Sequence, residues 1–340
     1  MQDTLETELL QIVAAIAFPM TGAVTLAGRP ALHVGVAGPV PSVMAAPNPS
    51  AAQLQQLIYD WCYCRRFDRA APAPISPPAA ELGFVEPLSA ANASRERWDM
   101  GWQILQTLPS SQIVAAKGAM TRMVWPGEFL AHGPPGVPPR PGVEISLFAP
   151  KESRIAQPGF YFAFGEALTD QEDDFAIVRF YWNVHAGAAA HLVGSLTRSL
   201  NRMAVPFRFK CLSMPALYDR TDAAVLYVAK RYYRIVANLL AEVYPMVRPH
   251  LKPTTPLFSK HLADGLGLAE NPKNGESFGM NRSRLVADAV CDAHERGIDS
   301  PEARLREVTD AFTRAGLSLD RPFLNPGSVD QYDFWESRPA

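Results

Sequence analysis

The chain has 340 residues, 48% apolar and 19% charged, enough for one large domain or two ordinary ones around a substantial core. A formal net charge of −2 excludes a polyanion-binding surface spread over the molecule, so nucleic acid is not an expected partner and any basic site is local. Four cysteines make no disulfide framework, Cys62-x-Cys64 lacks a second pair to complete a zinc site, and no apolar run approaches the ~20 residues that span a membrane.

Asp3, Glu6 and Glu8 stand where a signal peptide would carry basic residues, so a cytoplasmic location is expected. Residues 1–135 read as a mainly helical region. Helices are expected at Thr4–Ile16, after Ser50 (with Gln53 at capping-box spacing and Leu54, Leu57, Ile58 and Trp61 at core spacing) and over Ser94–Leu108, with Trp98 and Trp102 one turn apart. Ala71–Pro78 carries too many prolines for a helix and is expected to be a linker. Gly133-Pro-Pro-Gly-Val-Pro-Pro-Arg-Pro-Gly142 is the strongest punctuation, either a domain boundary or a long surface loop.

Residues 143–340 form the second unit. Strands are expected at Val143–Ala149, Gly159–Phe164, Ala176–Val184, Pro206–Leu212 and Asp222–Val228, with a helix at Ala188–Met203 between the third and fourth. Helices at Ala229–Val247, Ser283–Gly297 and Pro301–Ala315 close the chain, the last with Ser300 at its N-cap, Pro301 behind it and Gly316 past its end. The class is α+β, a mainly helical N-terminal part followed by a mixed sheet flanked by helices.

Side chains of a strand alternate between faces. Val178, Phe180, Trp182 and Val184 therefore oppose Arg179, Tyr181 and Asn183, while Phe207, Phe209 and Cys211 oppose Arg208 and Lys210. If both apolar sets face one core, Arg179, Arg208 and Lys210 share a sheet face, where like charges repel unless something compensates them. Nearby acids such as Asp173, Asp174 or Asp219 are one compensation; a phosphate is another. Desolvation and like charge favour the neutral form of an ammonium so placed, and a neutral lysine is a competent base, whereas an arginine stays charged and clamps phosphate with its planar fork. Leu251–Arg284 reads as a long polar, Gly-rich loop entering a helix that starts with Asn281, Arg282 and Arg284, a second place to receive an anion. Asp219-Arg220-Thr221-Asp222 reads as a capped turn into a strand. No phosphate-binding loop, dinucleotide fingerprint, kinase catalytic loop or metal signature occurs, so no nucleotide, other cofactor or metal is expected.

The runs Val178-Arg-Phe-Tyr-Trp-Asn-Val184, Val205-Pro-Phe-Arg-Phe-Lys-Cys-Leu212, Tyr218-Asp-Arg-Thr-Asp-Ala-Ala-Val-Leu-Tyr227, Gly265-Leu-Gly-Leu-Ala-Glu270 and Ser277-Phe-Gly279 resemble the HopA-type effector family over roughly residues 140–295. Members of that family also serve as the lyase component of class V lanthipeptide and thioamide-peptide (thioamitide) biosynthesis in actinobacteria. There a separate kinase phosphorylates Ser or Thr of a precursor peptide and the lyase removes the phosphate, leaving a dehydroamino acid. A more distant likeness is to phosphothreonine lyases, which carry a cation-x-His pair on one strand and a lysine base on the next. Arg179-x-Tyr181 and Lys210 stand at that spacing, with Tyr181 in place of the histidine acid.

The resemblance implies a phosphoserine/phosphothreonine lyase with no cofactor. Lys210 would be the base and Tyr181, His185 or no protein group the acid. Arg179, Arg208, Arg282, Asn183 and, as a further candidate, Arg220 would bind phosphate or substrate. The implied partners are a phosphorylated precursor peptide and a kinase. The rivals are a phosphopeptide-binding or effector module without catalysis, and a kinase scaffold using Trp61, Tyr63, Trp98 and Trp102 to bind a leader peptide; those aromatics also suit a core.

Overall fold

Residues 2–20, 23–29, 48–70, 83–134 and 136–334 are described in the computed structural model of the protein. The linker expected at Ala71–Pro78 lies outside them. The N-terminal part opens with α1 (Gln2–Ala14), the short pair β1 (Ile16–Ala17) and β2 (Thr25–Leu26), α2 (Pro49–Ile58) running into a π-helical turn at Tyr59–Tyr63, and α3 (Val85–Ala91). Asn48, not Ser50, caps α2: its side-chain oxygen accepts from the backbone N–H of Ser50 and Ala51, with Pro49 at the start of the helix. Leu54, Leu57, Ile58 and Trp61 are buried, as their spacing requires.

The segment expected to be helical at Ser94–Leu108 is a strand, β3 (Arg97–Thr107), in a five-stranded antiparallel sheet with β4 (Ile113–Lys117), β5 (Met120–Val124), β6 (Phe129–Ala131) and β7 (Glu144–Ala149). Gly101, at φ +83, sits in the left-handed region that ends a helix but suits a bulge, and the register shifts there between Asp99 and Trp102. The tryptophan spacing that imitated a helical turn is therefore a bulged strand. Trp102 is buried in a small separate core, while Trp98 is 43% exposed against Phe148. β6 and β7, which flank the Pro-rich stretch, pair with each other in one sheet.

The main sheet has seven strands: β8 (Glu152–Ser153), β9 (Phe160–Phe164), β10 (Ile177–Trp182), β11 (Arg208–Leu212), β12 (Ala224–Ala229), β13 (Lys260–Ala263) and β14 (Leu266–Glu270). Their order is β13-β14-β10-β12-β11-β9-β8, and every neighbouring pair is antiparallel where a mixed sheet was expected. The helix α4 (Ala189–Arg202) still links two parallel strands, β10 and β11, but β12 lies between them and pairs antiparallel with both. The hairpin β13–β14 occupies much of the Leu251–Arg284 stretch expected to be a loop. Asp264-Gly265, a dipeptide favoured in hairpin turns, joins its strands, with Gly265 at φ +69.

Val178, Phe180 and Trp182 are wholly buried on one sheet face, where Phe180 stacks on Tyr233 of α5 (Tyr233–Val247) at 6.0 Å. Part of the other face is roofed by the π-turn and by α6 (Phe278–Glu295): Tyr181 meets Tyr63 and Phe278, each at 6.3 Å between ring centres. α7 (Pro301–Arg314), capped by Ser300 as expected, packs against α6. The C-terminal segment then straps across the sheet edge. Buried Glu270 accepts from Lys230 at 2.5 Å and from the Tyr332 hydroxyl at 2.6 Å, and its N–H donates to the Phe323 carbonyl. Among the described residues no helix is long and apolar enough to cross a membrane, and all four cysteines are buried and free.

Two expected outcomes follow from this packing. A Cβ on Gly279 would overlap the Tyr63 ring, so Gly279→Ala should cost about 1–3 kcal/mol in urea denaturation, and Tyr63→Ala should relieve part of that cost in a double-mutant cycle. Burial alone would raise the Glu270 carboxyl, but Lys230 and Tyr332 hold it below the usual range. Its contribution to stability is therefore present above the ordinary carboxylate range and lost as pH falls through its depressed folded value. Amide protection factors in residues 323–332, corrected for the intrinsic pH dependence of exchange, should fall on acidification in the wild type, and Glu270→Gln should remove much of that dependence.

Candidate functional site

The register of three strands assembles the site. Directly opposed residues in an antiparallel pair project to the same face. Arg179 of β10 opposes Tyr227 of β12, which opposes Arg208 of β11; one step along, Tyr181 opposes Val225, which opposes Lys210. Arg179, Arg208 and Lys210 thus share one face, and Tyr227 stands at their centre. Its ring centre is 5.2 Å from the Arg179 guanidinium carbon, 5.9 Å from that of Arg208 and 5.9 Å from Lys210 Nζ. Facing the cations, the ring offsets part of their mutual repulsion, by roughly 0.5–1 kcal/mol for each cation–π contact.

Few carboxylates reach this cluster. Asp174 approaches Arg208 at 3.6 Å, with both side chains about half exposed, a pair of little worth in water. Asp173 and Asp219, the other acids expected to neutralise the face, bind Arg231 and Arg65 instead. Lys210 donates to the amide oxygen of Gln157 at 3.0 Å and lies 4.1 Å from the centre of the Phe160 ring. Arg179 donates through Nε and Nη2 to the single amide oxygen of Asn271. Amide oxygens orient both cations without cancelling their charge. Asn271 is itself held by the strap, since Asn325 donates to its carbonyl at 2.8 Å.

Two phenols complete the face. Tyr181 is 2% exposed and its hydroxyl makes no aligned hydrogen bond, although Tyr63 and Arg179 lie beside it. Burial pushes its phenol up to about 12, against the pull of Arg179. A buried hydroxyl without a partner costs about 1–3 kcal/mol, and an arriving acceptor would recover much of that. Tyr227 behaves oppositely: burial would raise it, but Lys210, Arg179 and Arg208 together bring it below the ordinary phenol value. Tyr227 has no role in the sequence reading. Its signal was its alternation with Val225 on the strand that follows Asp222, which becomes informative only once β12 is known to separate β10 from β11.

The remaining expected site residues are engaged elsewhere. Arg220 is buried in a bidentate pair with Asp222, at 2.8 and 2.9 Å, and also donates to the Tyr59 hydroxyl. That pair anchors the capped turn before β12. Arg282 is 2% exposed and spends its donors on the carbonyls of Pro322 and Leu324 and on Asn281, fastening the strap to α6. Asn183 gives its amide N–H groups to Thr254. The start of α6 is capped by Ser277 and bordered by Glu276, which holds Arg284, so carboxylate already faces the helix end expected to receive an anion. Trp61, Tyr63 and Trp102 are core residues. Among the described residues, no group of His, Cys, Asp and Glu is placed to hold a metal ion.

The chain is thus an α+β protein whose central antiparallel sheet carries a cationic cluster on one face. Every strand of that sheet lies within residues 151–324, which match the model of the HopA1 effector protein family, and the chain belongs to that family. Among solved structures it is similar to the effector protein from Pseudomonas syringae pv. tomato strain DC3000. Identity there is 15% and the TM-score 0.46, over 83% of this chain and 92% of that one. It is also similar to the effector protein from Pseudomonas syringae pv. syringae strain 61, with 17% identity and a TM-score of 0.36, over 49% of this chain and 62% of that one. A search of curated proteins found no match.

Asn271→Asp tests the charge argument directly. A carboxylate would hold the Arg179 fork in place but neutralise it, so binding of inorganic phosphate or a phosphopeptide, followed by calorimetry, should weaken by roughly tenfold. Unchanged affinity would mean that Arg179 contributes no charge to the anion.

Proposed function

We propose that the chain is a phosphoserine/phosphothreonine lyase that acts on a precursor peptide phosphorylated by a separate kinase, leaving dehydroalanine or dehydrobutyrine. The observation that carries this reading is the placement of one lysine beside two arginines on a single sheet face, with amide oxygens rather than carboxylates orienting Lys210 and Arg179.

In this reading the phosphate rests between Arg179 and Arg208, whose guanidinium groups offset its charge as it departs. The unpartnered Tyr181 hydroxyl donates a hydrogen bond to a phosphate oxygen. Neutral Lys210 takes the α-proton, the Cα–H electron pair becomes the Cα=Cβ bond, and the Cβ–O pair leaves with phosphate. General base catalysis of this kind supplies about a hundred- to ten-thousand-fold. Nothing in the sequence of steps needs a nucleotide or a metal.

A phosphopeptide-binding module without catalysis would use the same arginines. The choice between them falls to incubation with phosphoserine and phosphothreonine peptides in EDTA, followed by mass spectrometry. Loss of phosphoric acid with a dehydro residue is expected. Recovery of the plain hydroxyl peptide would make the protein a phosphatase, and retention of the phosphate would make it a binder. Lys210→Arg keeps the charge but supplies no base, because a guanidinium stays protonated. It should still bind phosphopeptide while losing roughly a hundredfold or more in elimination. Near-normal turnover would return Lys210 to the clamp.

A further inference from the structure

Elimination from a phosphate monoester leaves one requirement unmet by base and clamp. The departing oxygen must gain a proton, because the fully deprotonated phosphate trianion is a poor leaving group. Of the two phenols on the cationic face, Tyr181 stands in the Val225–Lys210 row, one register step from the two arginines, with Tyr63 and Phe278 against its ring. Tyr227 stands in the strand register between Arg179 and Arg208, the two side chains that would hold the phosphate, with Lys210 beside it.

Resting on the lyase reading, we infer that the Tyr227 hydroxyl is the catalytic acid that protonates the leaving phosphate oxygen, and that Lys210 afterwards returns the abstracted proton to it. The step balances within these residues. Lys210 removes the α-proton and becomes an ammonium. The Cα–H electrons form the double bond, and the Cβ–O bond breaks toward oxygen. That oxygen takes the Tyr227 proton and leaves as hydrogen phosphate. The resulting phenolate is surrounded by Arg179, Arg208 and the new ammonium, and the ammonium gives back its proton to restore a neutral amine and a neutral phenol. The three cations already bring the Tyr227 phenol below its ordinary value, in the sense that favours donation. No oxidant, metal or nucleotide enters the cycle.

The test compares a phosphoserine peptide with its serine-O-sulfate counterpart, because sulfate leaves without needing a proton. Tyr227→Phe should bind both peptides, lose roughly a hundredfold or more in elimination of phosphate, and keep most of its rate for sulfate. Lys210→Met should lose both. An equal fall for the two esters, or a selective loss in Tyr181→Phe instead, would overturn the assignment to Tyr227. If wild-type protein eliminates neither ester, the lyase reading itself fails. Should Tyr227→Phe not fold, Tyr227→fluorotyrosine retains the hydroxyl with greater acidity. The alkaline fall in phosphate elimination should then move to lower pH, and an unmoved profile would overturn the proposal.

Discussion

Repulsion among three cations on one sheet face is the constraint on which the rest of this structure turns. Arg179, Arg208 and Lys210 would each be easily tolerated alone, with a carboxylate neighbour to pair with. Here the surrounding acids are largely committed to other partners, and Asp174 reaches Arg208 only from solvent. What holds the cluster together is softer: the face of Tyr227, the amide oxygens of Asn271 and Gln157, and a β-register that leaves the side chains little choice of direction. A sheet designed only for stability would gain by replacing one cation with a neutral residue. Positive charge is held in place here and left largely uncancelled.

The scaffold around that face is correspondingly tightly packed. The apolar face of β10 is fully buried, and the π-turn and α6 meet over Tyr181 so closely that Gly279 leaves no room for a side chain. The strap extends this support to Arg179. Arg282 and Glu270 secure residues 322–332, Asn325 holds Asn271, and Asn271 holds Arg179. Arg282 is thus tied to the site by structure: its buried guanidinium, which desolvation lowers to about 10, fastens the chain that positions another arginine.

Much of this was legible in the sequence because strands announce themselves by alternation. The alternation over Val178 to Trp182 and Phe209 to Cys211 places the cations on a shared face, and the register agrees. Reading failed where two periodicities coincide. Trp98 and Trp102 lie at helical spacing, yet the positive φ of Gly101 turns that spacing into a strand with a bulge. The expected clamps Arg220 and Arg282 illustrate a different limit. A charged residue in a suggestive motif cannot be told from one that serves a buried ion pair or a carbonyl until its partners in space are known, and Asp222, Pro322 and Leu324 are those partners. Tyr227 was missed for the converse reason: it looks like any aromatic on a buried strand.

The insertion of β12 between β10 and β11 also has a bearing on when the site comes into being. The two strands that supply its cations are kept two spacings apart, about 10 Å, by a strand made after both of them. A nascent chain that has delivered β10, α4 and β11 therefore holds the arginines and the lysine but no arrangement of them. β12 has to lie between them, and Asn271 beside Arg179, before the cluster exists. The cationic face is thus a property of the finished sheet and not of strands that follow one another in the sequence.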